Sequence, residues 1–420
     1  MITLAAVGDC LIGRRVSTVQ DPDFLALVEL LRGADCAWGN CEVVLADPRT
    51  VYRAAKLPRT TDPHVLCAPW GADELRFLGL GLLSTANNHT MDFGDAGLAS
   101  TLANLDRVGI VHAGAGADLV EAARPGYLQT AAGGFALVDC ASSYLDHYAA
   151  GPPHPIFKGR PGLNPIYLQT TIELERSLFE GLEQVQTQIH GLLAWNEYPD
   201  VLQTRASQRP AGTGLFFETL IRAADGVEVR SQPRSADVTR ILESIQAARQ
   251  EARVVIASIH THEARGRLEE PDPFLPPFAR ACLDAGADVF LAAGPHVLRG
   301  LEIHRGKPIF YSLGNFLAHF KAPADAPAAT SEGPSLYDQR RFWETFVPRI
   351  TFADGGEVVA IDLHPVTLGF GDPPSTRGTP RLARGGEARA ILTRLAELSR
   401  RFGTEVALDG EIGRVRLRDP

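Results

Sequence analysis

The chain has 420 residues, 45% hydrophobic and 22% charged, the proportions of a soluble folded protein rather than a disordered or fibrous one. Its 41 Lys and Arg against 50 Asp and Glu give a net charge of −9, and no basic run is present to neutralise a phosphate backbone, which argues against a nucleic-acid partner. No apolar stretch reaches the length of a membrane span, and the opening MITLAAVGDCLIG is interrupted by Asp9 too early for a signal peptide, so a cytoplasmic protein with no membrane partner is expected.

Short Val, Ile and Leu runs alternate with helical patterns, which predicts an α/β fold. ITLAAVGD reads as a first buried strand, DFLALVELLRG as a helix stopped by Gly33, and the run ending in GNCE as a second strand. GLGLLSTANNH is a third strand, followed by a helix with Leu98, Leu102, Leu105 and Val108 on one face and by the strand IVHAGAG. Residues 1–141 thus form a first half, and residues 142–235 interrupt the rhythm. They open on the Pro- and Gly-rich GPPHPIFKGRPGLNP and carry a helix with Leu178, Leu182, Val185, Ile189 and Leu192 in register, so a largely helical, loop-rich insertion is expected. The rhythm resumes over 236–320 with strand RVVIASIH, helix PFARACLDAGA, strand DVFLAAGPH and a hairpin across the RGK turn. Residues 321–420 add two strands and a helix carrying Ile391, Leu395, Leu398 and Phe402.

Polar residues recur directly after these strands, where an open parallel sheet presents its ligand site. Asp9 follows LAAVG, Glu42 follows AWGNC, Asn87, Asn88 and His89 follow LLSTA, His260 and His262 follow VVIASI, and His296 follows VFLAAGP. Carboxylates with Asn and His donors suit a divalent cation such as Mn, Fe, Zn, Mg or Ca, one or two of them. Asn87 either caps the helix beginning near Asp92 or exchanges with Asn88 as a donor. His262 is either a replacement ligand or a solvated neighbour of Glu263. Asn315 either orients a ligand or serves the turn at Gly314. His112, His147, His154, His190 and His304 lack the strand-end setting. The six cysteines form no CxxC pair and read as free buried thiols.

GDCLIGR, ADCAWGNCE, STANNHTMDFG, IHTHE, GPHVLRGLE and KPIFYSLGNF, spread over residues 1 to 317, resemble the successive motifs of the CapA-like family, the poly-γ-glutamate accessory type of the calcineurin-like metallophosphatases. The resemblance implies a four-layer αββα sandwich. By motif it makes Asp9, Glu42, Asn88, His260 and His296 metal ligands, and His89, paired with Asp92, the acid/base residue. There are departures: Leu11 stands where metallophosphatases place the His of Asp-x-His, Ala293 and Gly294 precede Pro295 and His296, and the motif commonly written HWG reads His260, Thr261, His262.

These altered motifs point to altered chemistry on that scaffold. The expected activity is a metal-dependent peptide epimerase of the kind the family includes in lasso-peptide pathways, acting on a peptide substrate such as a precursor peptide. The Cα proton would be removed and returned by His296 or Asp9 on one face and His89 or His262 on the other. The alternatives are a metal-dependent hydrolase, phosphoesterase or amidase, and a non-catalytic accessory protein of poly-γ-glutamate synthesis.

Overall fold

The computed structural model describes residues 1–54, 64–192, 212–216, 219–319 and 336–417. The chain forms two compact units, a larger one of Met1–Ile166, Ala236–Pro271 and Leu275–Pro420, and a smaller one of Tyr167–Ser235 with Asp272–Phe274.

The larger unit is built on two sheets. In the ten-stranded sheet, strand Ile2–Leu11 lies between Cys36–Asn40 on one side and, on the other, Glu344–Phe352 along its first half and Asn315–Ala318 along its second. Leu82–Ser84 and Val111–Ala113 continue the parallel part beyond Cys36–Asn40. The six-stranded sheet centres on Val254–His260, flanked in parallel by Gly133–Ala141 and Val289–Ala293.

Period-two alternation explains the layering. Ile2, Leu4 and Ala6 join Trp38 and Leu82 in one buried cluster with Phe135, Leu137, Val254, Ile256, Val289 and Leu291 of the other sheet. Ala5 and Val7 point the opposite way, into a second cluster with Phe24, Leu27 and Leu31 of helix Pro22–Arg32. Helices Ser235–Glu251 and Leu275–Asp284 bury Ile241, Ile245, Phe278 and Cys282, and Phe278 meets Phe290 of the six-stranded sheet edge-on at 6.0 Å. The α/β architecture is therefore consistent with the metallophosphatase-like fold that the resemblance implies.

Three expectations change in detail. Among its described residues the segment 142–235 is not largely helical: residues up to Ile166 belong to the larger unit, and the smaller unit carries a four-stranded sheet of Leu168–Glu175, Thr213–Phe216, Thr219–Ala224 and Glu228–Pro233 beside helix Arg176–Leu192. These strands are short and partly exposed, so their apolar signal is diluted by Thr, Glu and Arg. The third strand shortens to Leu82–Ser84 because the chain after it turns back through hydrogen bonds of its own polar side chains. A further hairpin, Val406–Asp409 with Ile412–Val415, follows helix Gly385–Arg400. The six cysteines are free and buried. Among the described residues no helix is long and apolar enough to cross a membrane.

Candidate metal centre

Parallel strands bring their C-terminal ends to one edge, and the register does the rest: Asp9 pairs with Asn40 on one side and Asn315 on the other, while His260 lies level with Ala293. Gly8 makes this packing possible, because a Cβ there would sit 1.8 Å from the Gly314 carbonyl oxygen. Asp9, Asn40, Glu42, His260 and Asn315 are buried.

Glu42 is the hub. Its Oε1 lies 3.8 Å from His260 Nε2, 3.8 Å from His296 Nε2 and 4.0 Å from His89 Nε2. Two donor groups of metal-site dimensions share it, Glu42 with His262 and His296, and Asp9 with Glu42 and His260. A carboxylate with imidazoles suits Zn, Mn or Fe, so these residues fit the divalent ion that the family resemblance implies. His260 and His262 face each other through Nε2 atoms 2.9 Å apart. Burial first, and then the charges of neighbouring histidines, hold both well below the ordinary imidazole range, which keeps them neutral as metal ligation requires.

His296 occupies a strained backbone conformation, φ 59°, just after Gly294 at φ 116°. Its Nδ1 lies 2.8 Å from Asn315 Oδ1 and 3.2 Å from Asp9 Oδ2. Both partners accept, so Nδ1 carries the proton and Nε2 presents its lone pair to the centre. Asn315 is itself held by its bond to the Phe342 carbonyl, 3.1 Å, and Gly314 before it adopts φ 74°.

His89 forms the other wall. Its Nδ1 is 2.7 Å from Asp92 Oδ2, and Asp92 also accepts from the Val65 amide at 2.7 Å and the Tyr148 hydroxyl at 3.2 Å. The neighbouring Asn alternatives separate. Asn87 is committed to the loop, donating to Cys41 O (2.9 Å) and Asn40 Oδ1 (3.3 Å) and accepting from the His89 amide (3.0 Å). Asn88 lies with its Nδ2 3.5 Å from His89 Nε2, and among the described residues its buried Oδ1 has no hydrogen-bond partner. The Glu263 carboxylate takes the Ser142, Ser143 and Thr261 hydroxyls at 2.7, 2.8 and 2.6 Å, while His262, only partly buried, turns its Nε2 to His260.

Asn40 was not among the residues singled out from the sequence. It donates to Asp9 Oδ1 at 2.8 Å and sits 3.2 Å from His260 Nδ1. The signal was its place two residues before Glu42, on the same face of an extended chain. Asp139 was also missed. It accepts from the Thr85 and Ala86 amides and the Ser258 hydroxyl at 3.1, 2.9 and 2.5 Å, fixing the start of the loop that bears Asn88 and His89, and burial raises its carboxyl to about 7. Of the histidines set aside, His112 and His304 pair with Asp106 and Asp284, His154 stacks on Phe157, and His147 meets Tyr148 edge-on. The His190 side chain lies outside the described residues.

A strand-end group of carboxylates and imidazoles thus lies on an α/β scaffold consistent with a metallophosphatase-like fold. The chain belongs to the bacterial capsule synthesis protein PGA_cap family, which matches residues 3–319. It is 30% identical over 442 residues to protein y4sH of Sinorhizobium fredii, covering 99% of this chain and 93% of that protein. It is 24% identical over 322 residues to the PGA biosynthesis protein CapA of Bacillus subtilis, covering 76% and 63%. A "probable polyglutamine synthesis accessory protein" of Mycobacterium tuberculosis is 24% identical over 380 residues, covering 88% and 78%.

Proposed function

We propose that this chain is an accessory enzyme of peptide-polymer synthesis that hydrolyses an amide bond, using one divalent metal and the His89–Asp92 pair. One observation carries the reading: His89, with Nδ1 held by Asp92 at 2.7 Å, turns Nε2 toward the Glu42 carboxylate that His260 and His296 also face. The relatives' names, PGA biosynthesis and polyglutamine synthesis, supply the substrate class, an amide-linked chain of amino-acid residues.

A divalent cation at Glu42, His262 and His296 supplies Lewis-acid polarisation of the substrate oxygen when bound. His89, its Nδ1–H held by Asp92, takes a proton at Nε2 from the attacking water and then delivers it to the leaving amine, and Asp92 stabilises the imidazolium formed in between. Asp9 and Asn315 keep the His296 lone pair aimed inward. His296 keeps 18% of its side chain exposed, so a substrate reaches this wall from solvent.

Cα epimerisation of a peptide is a second reading, favoured by one observation. His89 and His296 each stand against a carboxylate, Asp92 at 2.7 Å and Asp9 at 3.2 Å, and each presents Nε2 to Glu42. Two such imidazoles can remove a proton from one face and return it to the other. None of the relatives above carries an epimerase name.

Incubating the chain with glutamate and glutamine oligomers and Mn(II) or Zn(II) in deuterated water separates the readings. New amine termini support hydrolysis. Deuterium at Cα in an uncleaved oligomer overturns it in favour of epimerisation, and neither product from a metal-loaded chain favours a non-catalytic accessory role.

A further inference from the structure

We propose that Asn40 withdraws His260 from the metal-ligand set by fixing its ring tautomer, so that the centre takes a single divalent cation at Glu42, His262 and His296. The inference rests on the metal reading above and departs from the ligand set that the motifs imply.

The orientation of the Asn40 amide follows from its neighbours. Nδ2 lies 2.8 Å from Asp9 Oδ1, a carboxylate oxygen that accepts, and Oδ1 lies 3.3 Å from Asn87 Nδ2. Asn87 is itself oriented, because its Nδ2 also serves the Cys41 carbonyl and its Oδ1 takes the His89 amide. Flipping Asn40 would set oxygen against oxygen at Asp9 and amine against amine at Asn87.

The second hydrogen on Asn40 Nδ2 therefore meets His260 Nδ1, 3.2 Å away. A ring nitrogen facing a donor is the unprotonated one, so neutral His260 carries its hydrogen on Nε2. That atom points to His262 Nε2 at 2.9 Å and to Glu42 Oε1 at 3.8 Å, and with a hydrogen on it there is no lone pair for a cation. A carboxylate at position 40 would do the reverse, accepting from Nδ1–H and releasing Nε2 as a ligand, the usual carboxylate–histidine–metal arrangement. Asn40 Nδ2 thus occupies Asp9 Oδ1 and His260 Nδ1, one atom of each of two residues of the second group. Asp9 is left as the acceptor that orients His296.

The sign of one substitution distinguishes this from a ligand role. A true ligand lost from the set weakens binding, whereas losing the His260 hydrogen removes a competitor for the His262 lone pair. In calorimetric titration of the metal-free full chain with Mn(II) and with Zn(II), the wild type is expected to bind one equivalent. His260→Gln should keep that equivalent with unchanged or tighter affinity, while His262→Gln and His296→Gln each lose tenfold or more. Asn40→Asp should bind a second equivalent or gain at least tenfold in affinity. Nitrogen-15 NMR of the metal-free wild type should show His260 Nδ1 unprotonated, a readout that needs no variant. Two equivalents in the wild type, a tenfold loss in His260→Gln, no gain in Asn40→Asp, or a protonated Nδ1 would each overturn the inference and leave the metal reading intact. Binding of neither metal by the wild type overturns both.

Discussion

The Tyr148 hydroxyl donates to Asp92 Oδ1 at 3.2 Å, the carboxylate oxygen that His89 does not use. With the Val65 amide on the other oxygen, Asp92 is held from several sides and can turn the His89 ring only one way. His89→Ala should lower kcat about 10²- to 10⁴-fold, the usual worth of a positioned acid or base. Tyr148→Phe, which leaves the ring packing in place, should cost only about tenfold or less. Metal affinity measured alongside the rates should not move in either variant, since neither side chain belongs to the donor groups.

Glu42 is common to both donor groups and is buried among imidazoles. Glu42→Gln keeps the shape and removes a buried charge, so the metal-free protein should be at least as stable as the wild type. A ligand bound only by the native state stabilises it by about 2.7 kcal/mol at a hundredfold excess over Kd. That increment, read as the rise in urea midpoint on adding Mn(II) or Zn(II), should be present in the wild type and absent from Glu42→Gln.

Asp139 gives stability a particular pH dependence. Burial raises its carboxyl from 3.8 to about 7 in the native state, so the native chain binds a proton that the unfolded chain releases. Stability from this group is fully present below the unfolded value and is lost as pH rises toward 7, by about 4 kcal/mol for the whole shift. Asp139→Asn can keep an oxygen for the Thr85 and Ala86 amides while the Ser258 hydroxyl turns to accept. Urea midpoints measured from pH 4.5 to 7.5 should fall with pH more steeply in the wild type than in this variant.

Gly294 adopts φ 116°, and a Cβ there would lie 3.0 Å from His262 Cδ2 and 3.1 Å from the Thr261 amide nitrogen and carbonyl oxygen. Gly294→Ala should therefore cost about 2 kcal/mol or more in urea unfolding. It should also weaken metal binding, because relief of the contact moves either His262 or the turn that carries His296.

The strand-end rule made most of this centre legible, because parallel strands deliver their terminal residues to one edge whatever separates them in the chain. Asp9, Glu42, His89, His260, His262 and His296 converge for that reason. Asn40 escaped notice because an amide inside a strand reads as a turn or cap residue until its neighbours are known, and only the register places it between Asp9 and His260. Asp139 lies within Gly133–Ala141, in a run of buried apolar residues, and nothing local marks it as the carboxylate under the His89 loop. The sheet of the smaller unit was hidden differently: the spacing of Leu178, Leu182 and Val185 gives a strong helical signal, while LQTTIELE and EVRSQP lack the apolar alternation that announces a strand.

The backbone of His296, at φ 59°, sits where a β-carbon is unwelcome and glycine is at ease. Holding a histidine there costs the fold about 1–3 kcal/mol, a sum that a glycine would give back as resistance to heat. Selection for robustness and selection for chemistry thus pull this position in opposite directions. A library screened only for survival at high temperature would drift toward a calmer turn with no imidazole, and one screened for turnover would hold the strained residue in place.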